Sequence, residues 1–390
     1  MLERRSLIGV IGAGTMGSGV ALVAALAGHE VRLWDKDPQA LVRAANSLNM
    51  YLERQVEKGK IDKSAAAAVS ARVKQIPAVS ELAGCLLVIE AVAEDLGVKR
   101  ALFCELEAVV SDGSILASNT SSLSVTALGA ALKKPGRFIG LHFFNPVHAM
   151  ALVEVIPGFK SDQNSVESAR ALVESWGKSA VLAKDTPGFI VNRIARPFYG
   201  EALRMYEQGV ADMAGIDWAV KKFGGFRMGP FELMDLIGND INFQVTQTVF
   251  QELFFESRYR PCLTQKRMVE AGLLGRKSGR GYYDYTEGAH KPEPRCDDEL
   301  GRRIFLRIVA MLINEAIDAS FLGLASRTDL ERAVTLGLNY PRGLLGWADE
   351  LGLANVLAWL EELQIEFGEE RYRPSPLLRK MVREKQRFFE

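Results

Sequence analysis

Two polar residues interrupt otherwise apolar runs. His142 closes FIGLH over residues 138–142, and Glu154 sits inside LVEVI over residues 152–156. An isolated buried carboxylate is costly, so Glu154 should be either paired or exposed. Two neighbouring strands would bring it against His142, where a carboxylate orients the imidazole and stabilises its charged form, as general-base chemistry near neutral pH needs. A lone strand-end histidine is equally an ordinary core or rim residue, and the pair by itself does not decide.

A second candidate opens the chain. Residues 7–19 read LIGVIGAGTMGSG, an apolar run breaking into Gly12-x-Gly14-x-x-Gly17. Gly12 permits a tight turn, Gly14 lets the backbone approach a pyrophosphate, and Gly17 lets a helix pack closely on the strand. The helix that follows then offers free N–H groups to an anion. The next apolar run, 30–34, ends in Asp35, about where the ribose-binding acid belongs, roughly 20 residues on. A carboxylate there favours NAD over NADP.

Such side chains need a sheet to hold them. From residue 7 to about 184 short β-type runs alternate with helical stretches, as a parallel sheet covered by helices requires; the runs 86–91, 115–118, 138–142 and 152–156 supply the later strands. Residues 38–75 are too long for a plain crossover and read as two helices turning at EKGK over 57–60. The hairpin is either a solvated elaboration or a ligand-gripping arm carrying Arg54, Lys58 and Lys60. Past DTPG at 185–188 apolar residues recur at helical spacing, which marks a second, mostly α region.

That region repeats itself. Glu201, Ile216-Asp217, Gly229, Asp235 and Arg258 are echoed by Glu315, Thr328-Asp329, Gly343, Asp349 and Arg371, at an offset of 112–114 residues. A tandem duplication of one helical unit follows. The expected architecture is an α/β Rossmann-type dinucleotide-binding domain (1–184, arm about 38–75) followed by two tandem all-α domains (185–286 and 299–390) joined by a linker at 287–298.

Charge excludes some classes of partner. Lys plus Arg equals Asp plus Glu, 48 each, so no global field draws the chain to nucleic acid or an anionic membrane. Cys85, Cys104, Cys262 and Cys296 are scattered without metal-ligand spacing, so reduced thiols and no metal are expected. The residues before the first strand are too few and too polar for a secretory signal, and no run approaches the ~20 apolar residues of a membrane span. A soluble, cytoplasmic protein is expected.

Six separated strings, IGAGTMGSG (11–19), SNTSSL (118–123), HFFNP (142–146) with LVEV (152–155), TPGFIVNR (186–193), MGPFEL (228–233) and GRKSGRGY (275–282), together resemble the 3-hydroxyacyl-CoA dehydrogenase family, which includes 3-hydroxybutyryl-CoA dehydrogenases. The resemblance covers roughly residues 1–285. It implies NAD-dependent oxidation of (S)-3-hydroxyacyl-CoA to 3-oxoacyl-CoA, or the reverse, as in fatty-acid β-oxidation, with a 3-hydroxybutyryl or 3-hydroxyadipyl preference open.

By the same resemblance His142 matches the catalytic base and Glu154 its orienting partner. Ser121 and Asn192 match the groups that hold the substrate's β-oxygen and the histidine in register; without it they would read as a helix N-cap and a turn or helix-start residue. Gly12, Gly14, Thr15, Met16, Gly17 and Asp35 match the adenosine half of NAD, and Glu94, Lys99, Ser121, Asn145 and Lys277 further cofactor contacts. Arg54 and Lys58 fall where the family's arm meets coenzyme A. The chain departs from the commoner pattern in its second helical copy, which resembles larger bacterial members and implies an intrachain pseudo-dimer, with a homodimer left open. Two other readings are a non-catalytic, crystallin-like relative, which should have lost these residues, and a β-hydroxyacid dehydrogenase using a helical-domain lysine on a free acid, which HFFNP argues against.

Overall fold

A computed structural model describes residues 6–389. The chain divides into two compact units, Met1–Phe189 and Ile190–Glu390, a few residues beyond the expected boundary at 185.

The first unit is built on β1 (Leu7–Ile11), β2 (Glu30–Trp34), β3 (Val73–Gln75), β4 (Leu87–Glu90), β5 (Ile115–Ser118), β6 (Phe138–Phe143), β7 (Leu152–Pro157) and β8 (Ser179–Leu182), in the sheet order β3-β2-β1-β4-β5-β6-β7-β8. Every neighbouring pair is parallel except β6 and β7. Residues 144–151 are too few for a crossover helix, so this one pair is antiparallel. The order reverses between β1 and β4, and ligands of doubly wound sheets bind in the crevice beyond the strand ends at such a point. Strands β4 and β5 are buried throughout, which is why they read as unbroken apolar runs rather than alternating ones.

Helices α1 (Thr15–Leu26), α2 (Pro38–Glu57), α3 (Lys63–Arg72), α4 (Leu96–Val109), α5 (Val125–Gly129) and α6 (Gln163–Ser175) complete the unit. The expected hairpin is α2 and α3. Asp37 caps α2 through the Gln39 amide, with Pro38 at its first position, and Ala40, Ala44, Leu48 and Leu52 form its buried stripe. Spaced by four, they give α2 one apolar face for α1 and leave Arg54 and Lys58 exposed on the hairpin.

The second unit is helical: α7 (Val191–Ile194), α8 (Arg196–Glu207), α9 (Met213–Gly224), α10 (Pro230–Ile237), α11 (Asn239–Glu252), α12 (Leu263–Glu270), α13 (Asp298–Phe321), α14 (Arg327–Gly337), α15 (Leu344–Leu351), α16 (Leu353–Phe367) and α17 (Pro376–Arg383). The two copies share one compact unit, because α13 of the second packs on α8 and α9 of the first.

Hydrogen bonding corrects one landmark of the repeat. Asp217 caps α10 by accepting from the Phe231 and Glu232 amides at 2.9 and 3.0 Å. Glu331, not Asp329, does the same for α15 through Leu345 and Gly346 at 2.8 and 3.0 Å. Pairing by residue type had slipped by two positions, since a capping site accepts either carboxylate. Asp235 and Asp349 do correspond: each accepts from two consecutive backbone amides, those of Tyr282 and Tyr283 and those of Phe388 and Phe389.

Ionic contacts cross between the copies reciprocally. Glu315, fully buried, accepts from Arg193 at 2.9 Å, Arg258 at 3.0 Å and the Tyr259 hydroxyl. Glu201 accepts from Arg307 at 2.9 Å, Arg371 at 3.4 Å and Tyr372 at 3.0 Å. Each residue of one set lies 113–114 positions from its counterpart in the other. Such mutual exchange is the signature of a two-fold interface, here made within one chain.

Candidate active site

His142 and Glu154 are directly opposite one another across the β6–β7 pair. Their side chains meet: Nδ1 of His142 lies 2.6 Å from Oε2 of Glu154. Glu154 is fully buried and His142 is 6 % exposed, so the carboxylate in the apolar run is paired. With Nδ1–H donating to Glu154, the neutral ring presents Nε2 as its acceptor. Phe144 and Phe189 flank the imidazole, with ring centroids at 4.4 and 5.9 Å. Phe189 is held in the left-handed region at φ 46°, a conformation that costs on the order of 1–3 kcal/mol in a non-glycine residue. Neither aromatic was singled out from sequence, although both lie inside the quoted motifs.

The glycine loop behaves as a ligand cradle. A Cβ at Gly12, whose φ is +95°, would stand 2.5 Å from the Ala91 carbonyl oxygen, and one at Gly17 would stand 1.7 Å from that of Gly12. Packing within the protein demands those two glycines. A Cβ at Gly14 would meet nothing within 4 Å, so the chain's own packing gives no reason for glycine there, whereas a bound pyrophosphate does. No side chain caps α1 and no acid lies in its first turn, which leaves N–H groups at Thr15 and Met16 for an anion. Asp35 accepts from the Ala13 amide at 2.6 Å and the Asp37 amide at 2.9 Å; each carboxylate oxygen keeps a lone pair for a ribose hydroxyl. These residues fit a dinucleotide.

A cavity of about 420 Å³ adjoins this loop, walled by Gly14, Thr15 and Ser18, by Arg43 and Tyr51 of α2, and by Asn145 and His148. Arg54 and Lys58 are exposed, and neither forms an ion pair among the described residues. Ser121 lies in the turn after β5, and its amide donates to Glu94 at 3.0 Å. It is not a helix cap, since Ser124 caps α5. Burial pushes the Glu94 carboxyl up, but the Lys99 ammonium and hydrogen bonds from Thr120 and Ser121 outweigh it and hold the group below the ordinary carboxylate value. Lys99, expected as a cofactor contact, is 1 % exposed with its ammonium on Glu90 and Glu94.

Asn192 and Lys277 belong to the second unit. Asn192 is half-buried in the one-turn α7, its carbonyl accepting from Arg196 at 2.7 Å, while Lys277 pairs with Asp240 at 2.6 Å. Among the described residues no cluster of His, Cys, Asp or Glu could hold a metal ion, and no helix is long and apolar enough to cross a membrane. Burial pushes the Cys85 and Cys262 thiols up to about 11, so neither offers a thiolate at neutral pH.

Comparison with known proteins gives matches along most of the chain. The family model described as 3-hydroxyacyl-CoA dehydrogenase, NAD binding domain, matches residues 7–186. The model of that family's C-terminal domain matches twice, over 188–285 and 304–387. The 3-hydroxyadipyl-CoA dehydrogenase of Escherichia coli K12 is 38% identical over 97% of this chain and 98% of its own length. A 3-hydroxybutyryl-CoA dehydrogenase of Bradyrhizobium diazoefficiens is 45% identical over 74% of this chain and 97% of its own. The crystal structure of an Escherichia coli K12 3-hydroxybutyryl-CoA dehydrogenase superposes with a TM-score of 0.92 at 37% identity, covering 97% of this chain and 98% of that one.

Proposed function

Because the chain belongs to the 3-hydroxyacyl-CoA dehydrogenase family, we propose that it oxidises (S)-3-hydroxyacyl-CoA to 3-oxoacyl-CoA with NAD, or runs the reverse reduction, on the His142–Glu154 pair. The observation that carries the reading is the 2.6 Å contact between the two, which leaves one ring nitrogen to act on substrate. His142 Nε2 takes the proton of the C3 hydroxyl, and Glu154 stabilises the imidazolium that forms. Bound NAD supplies the hydride acceptor. Ser121 and Asn192 hold the reacting oxygen in place. In reduction the imidazolium returns the proton.

Gly12, Gly14, Thr15, Met16, Gly17 and Asp35 take the adenosine half of the cofactor; Glu94, Ser121, Asn145 and Lys277 take the rest. Arg54 and Lys58 meet the phosphates of coenzyme A. The names of the relatives make 3-hydroxybutyryl- and 3-hydroxyadipyl-CoA the first substrates to assay. Four free cysteines fit a cytoplasmic setting.

Turnover should require the thioester. NADH formation is expected with 3-hydroxyacyl-CoA and not with the free 3-hydroxy acid, and Arg54→Ala with Lys58→Ala should raise KM for the thioester, more at low salt than at high. Equal activity on the free acid would overturn the reading and favour a β-hydroxyacid dehydrogenase. A separate expectation concerns Asp35, whose carboxylate accepts ribose hydroxyls and repels a 2′-phosphate. kcat/KM should be higher with NADH than with NADPH, and Asp35→Ser should narrow the gap. Equal values in the unaltered protein would show that Arg32 and Lys36 nearby cancel the discrimination.

A further inference from the structure

A polar cluster lies between the glycine loop and Ser121, and of its three charged members the reading above uses only Glu94. Glu90 ends β4, beside Ile11 of β1, and is fully buried. Lys99, in the first turns of α4, is 1 % exposed. Its ammonium lies 3.0 Å from Oε1 of Glu90 and 2.7 Å from Oε2 of Glu94. Glu90 also accepts from the Val92 amide at 2.7 Å and the Ser118 hydroxyl at 2.6 Å. Glu94 accepts from the Thr120 hydroxyl, the Ser121 amide at 3.0 Å, and the Ser122 amide and hydroxyl at 3.2 and 3.1 Å.

The turn over residues 118–122 therefore gives five side-chain or amide donors to two carboxylates joined by one ammonium. Its opposite side is bound to the histidine strand. Oδ1 of Asn119 accepts from the Phe143 amide at 2.8 Å, one residue from His142. Two carboxylates sharing one buried ammonium are an expensive way to stabilise a fold, since apolar side chains of similar volume often do as well or better. What the charged arrangement supplies is geometry: three groups that fit together in one way, all bonded to the turn that carries Ser121.

We propose that Glu90 and Lys99 are positioning residues that act through Glu94 and Ser118 to fix the 118–122 turn, and so the placement of Ser121 relative to His142. This rests on the role given to Ser121 above. Glu90→Gln keeps the shape and an acceptor for Val92 but removes the charge that holds Lys99, so the turn should loosen without loss of the fold.

The test is a double-mutant cycle in kcat over Glu90→Gln, Ser121→Ala and their combination, with Tm and NADH titration as controls for folding. Glu90→Gln alone should lower kcat about tenfold or more while KM for the thioester changes about twofold at most, and it should add little once Ser121 is alanine. Lys99→Arg should retain more kcat than Lys99→Met. Losses that multiply in the double variant, with Ser121→Ala itself impaired, would overturn the positioning role and leave the proposed chemistry standing. Ser121→Ala with unchanged kcat would instead overturn the role of Ser121 and the proposal with it. If Glu90→Gln does not melt cooperatively, the same cycle run with Lys99→Met decides.

Discussion

His142→Gln should fold, bind NADH as the unaltered protein does, and lose about 10²–10⁴-fold in kcat, the range that positioned acid–base catalysis contributes. Glutamine fills much of the same space between Phe144 and Phe189 and can still donate to Glu154, so the β6–β7 pair and the buried carboxylate remain satisfied. What it lacks is a nitrogen that can take the proton of the C3 hydroxyl. Glu154→Gln should be impaired for a different reason: it still accepts from Nδ1–H, but the imidazolium formed during oxidation loses its compensating charge. Its kcat should fall while the pH profile of alcohol oxidation is displaced. Stopped-flow NADH formation with substrate saturating measures both. Near-normal turnover in His142→Gln with cooperative melting intact would remove the histidine from the chemistry.

The pair was legible because a carboxylate stood alone in an apolar run and its neighbouring run ended in histidine. The same signal was present at Glu90, the last residue of the buried run that forms β4, but its partner does not end a neighbouring apolar run. That partner, Lys99, is nine residues on and turned back by α4, and a helix brings residues together in ways that local pattern does not reveal. Strand β3 is three residues long and two of them are exposed, so its apolar signal is nearly absent; its place at the sheet edge follows from pairing with β2. The duplication was legible from landmarks, but its exact alignment was not. A cap is chosen for an acceptor at a given position, and Asp217 and Glu331 satisfy that need with different side chains, while the aspartate at 329 offers the right letter in the wrong turn.

The reciprocal contacts between the two helical copies carry the second large effect. Glu315→Gln leaves the buried guanidinium of Arg193 without its carboxylate and that of Arg258 with Asp318 alone, and loss of one member of a buried ionic set costs about 3–5 kcal/mol. For a unit of this size that is a fall in Tm on the order of 10 °C. The pH dependence follows from sign. Burial raises the Glu315 carboxyl, but the two arginines outweigh it and hold the group below its ordinary value. A depressed native value gives stability that is present above the unfolded value, about 4.3, and is lost as pH falls through the native one. The variant lacks that contribution at every pH, so the stability gap measured by urea melts should be full at pH 7 and narrower at pH 4. A gap of constant size would mean that Glu315 acts through packing rather than charge. Truncation near residue 290 removes Arg307, Glu315 and Arg371 together and strands Glu201, Arg193 and Arg258. Because the two sets match residue for residue, a second truncated chain can restore the arginine contacts that Glu201 and Glu315 make in the full chain, its Arg193 and Arg258 taking Glu201 and the reverse. The truncated chain should therefore sediment as a dimer or aggregate, and a stable truncated monomer would show that the reciprocal set does not hold the copies together.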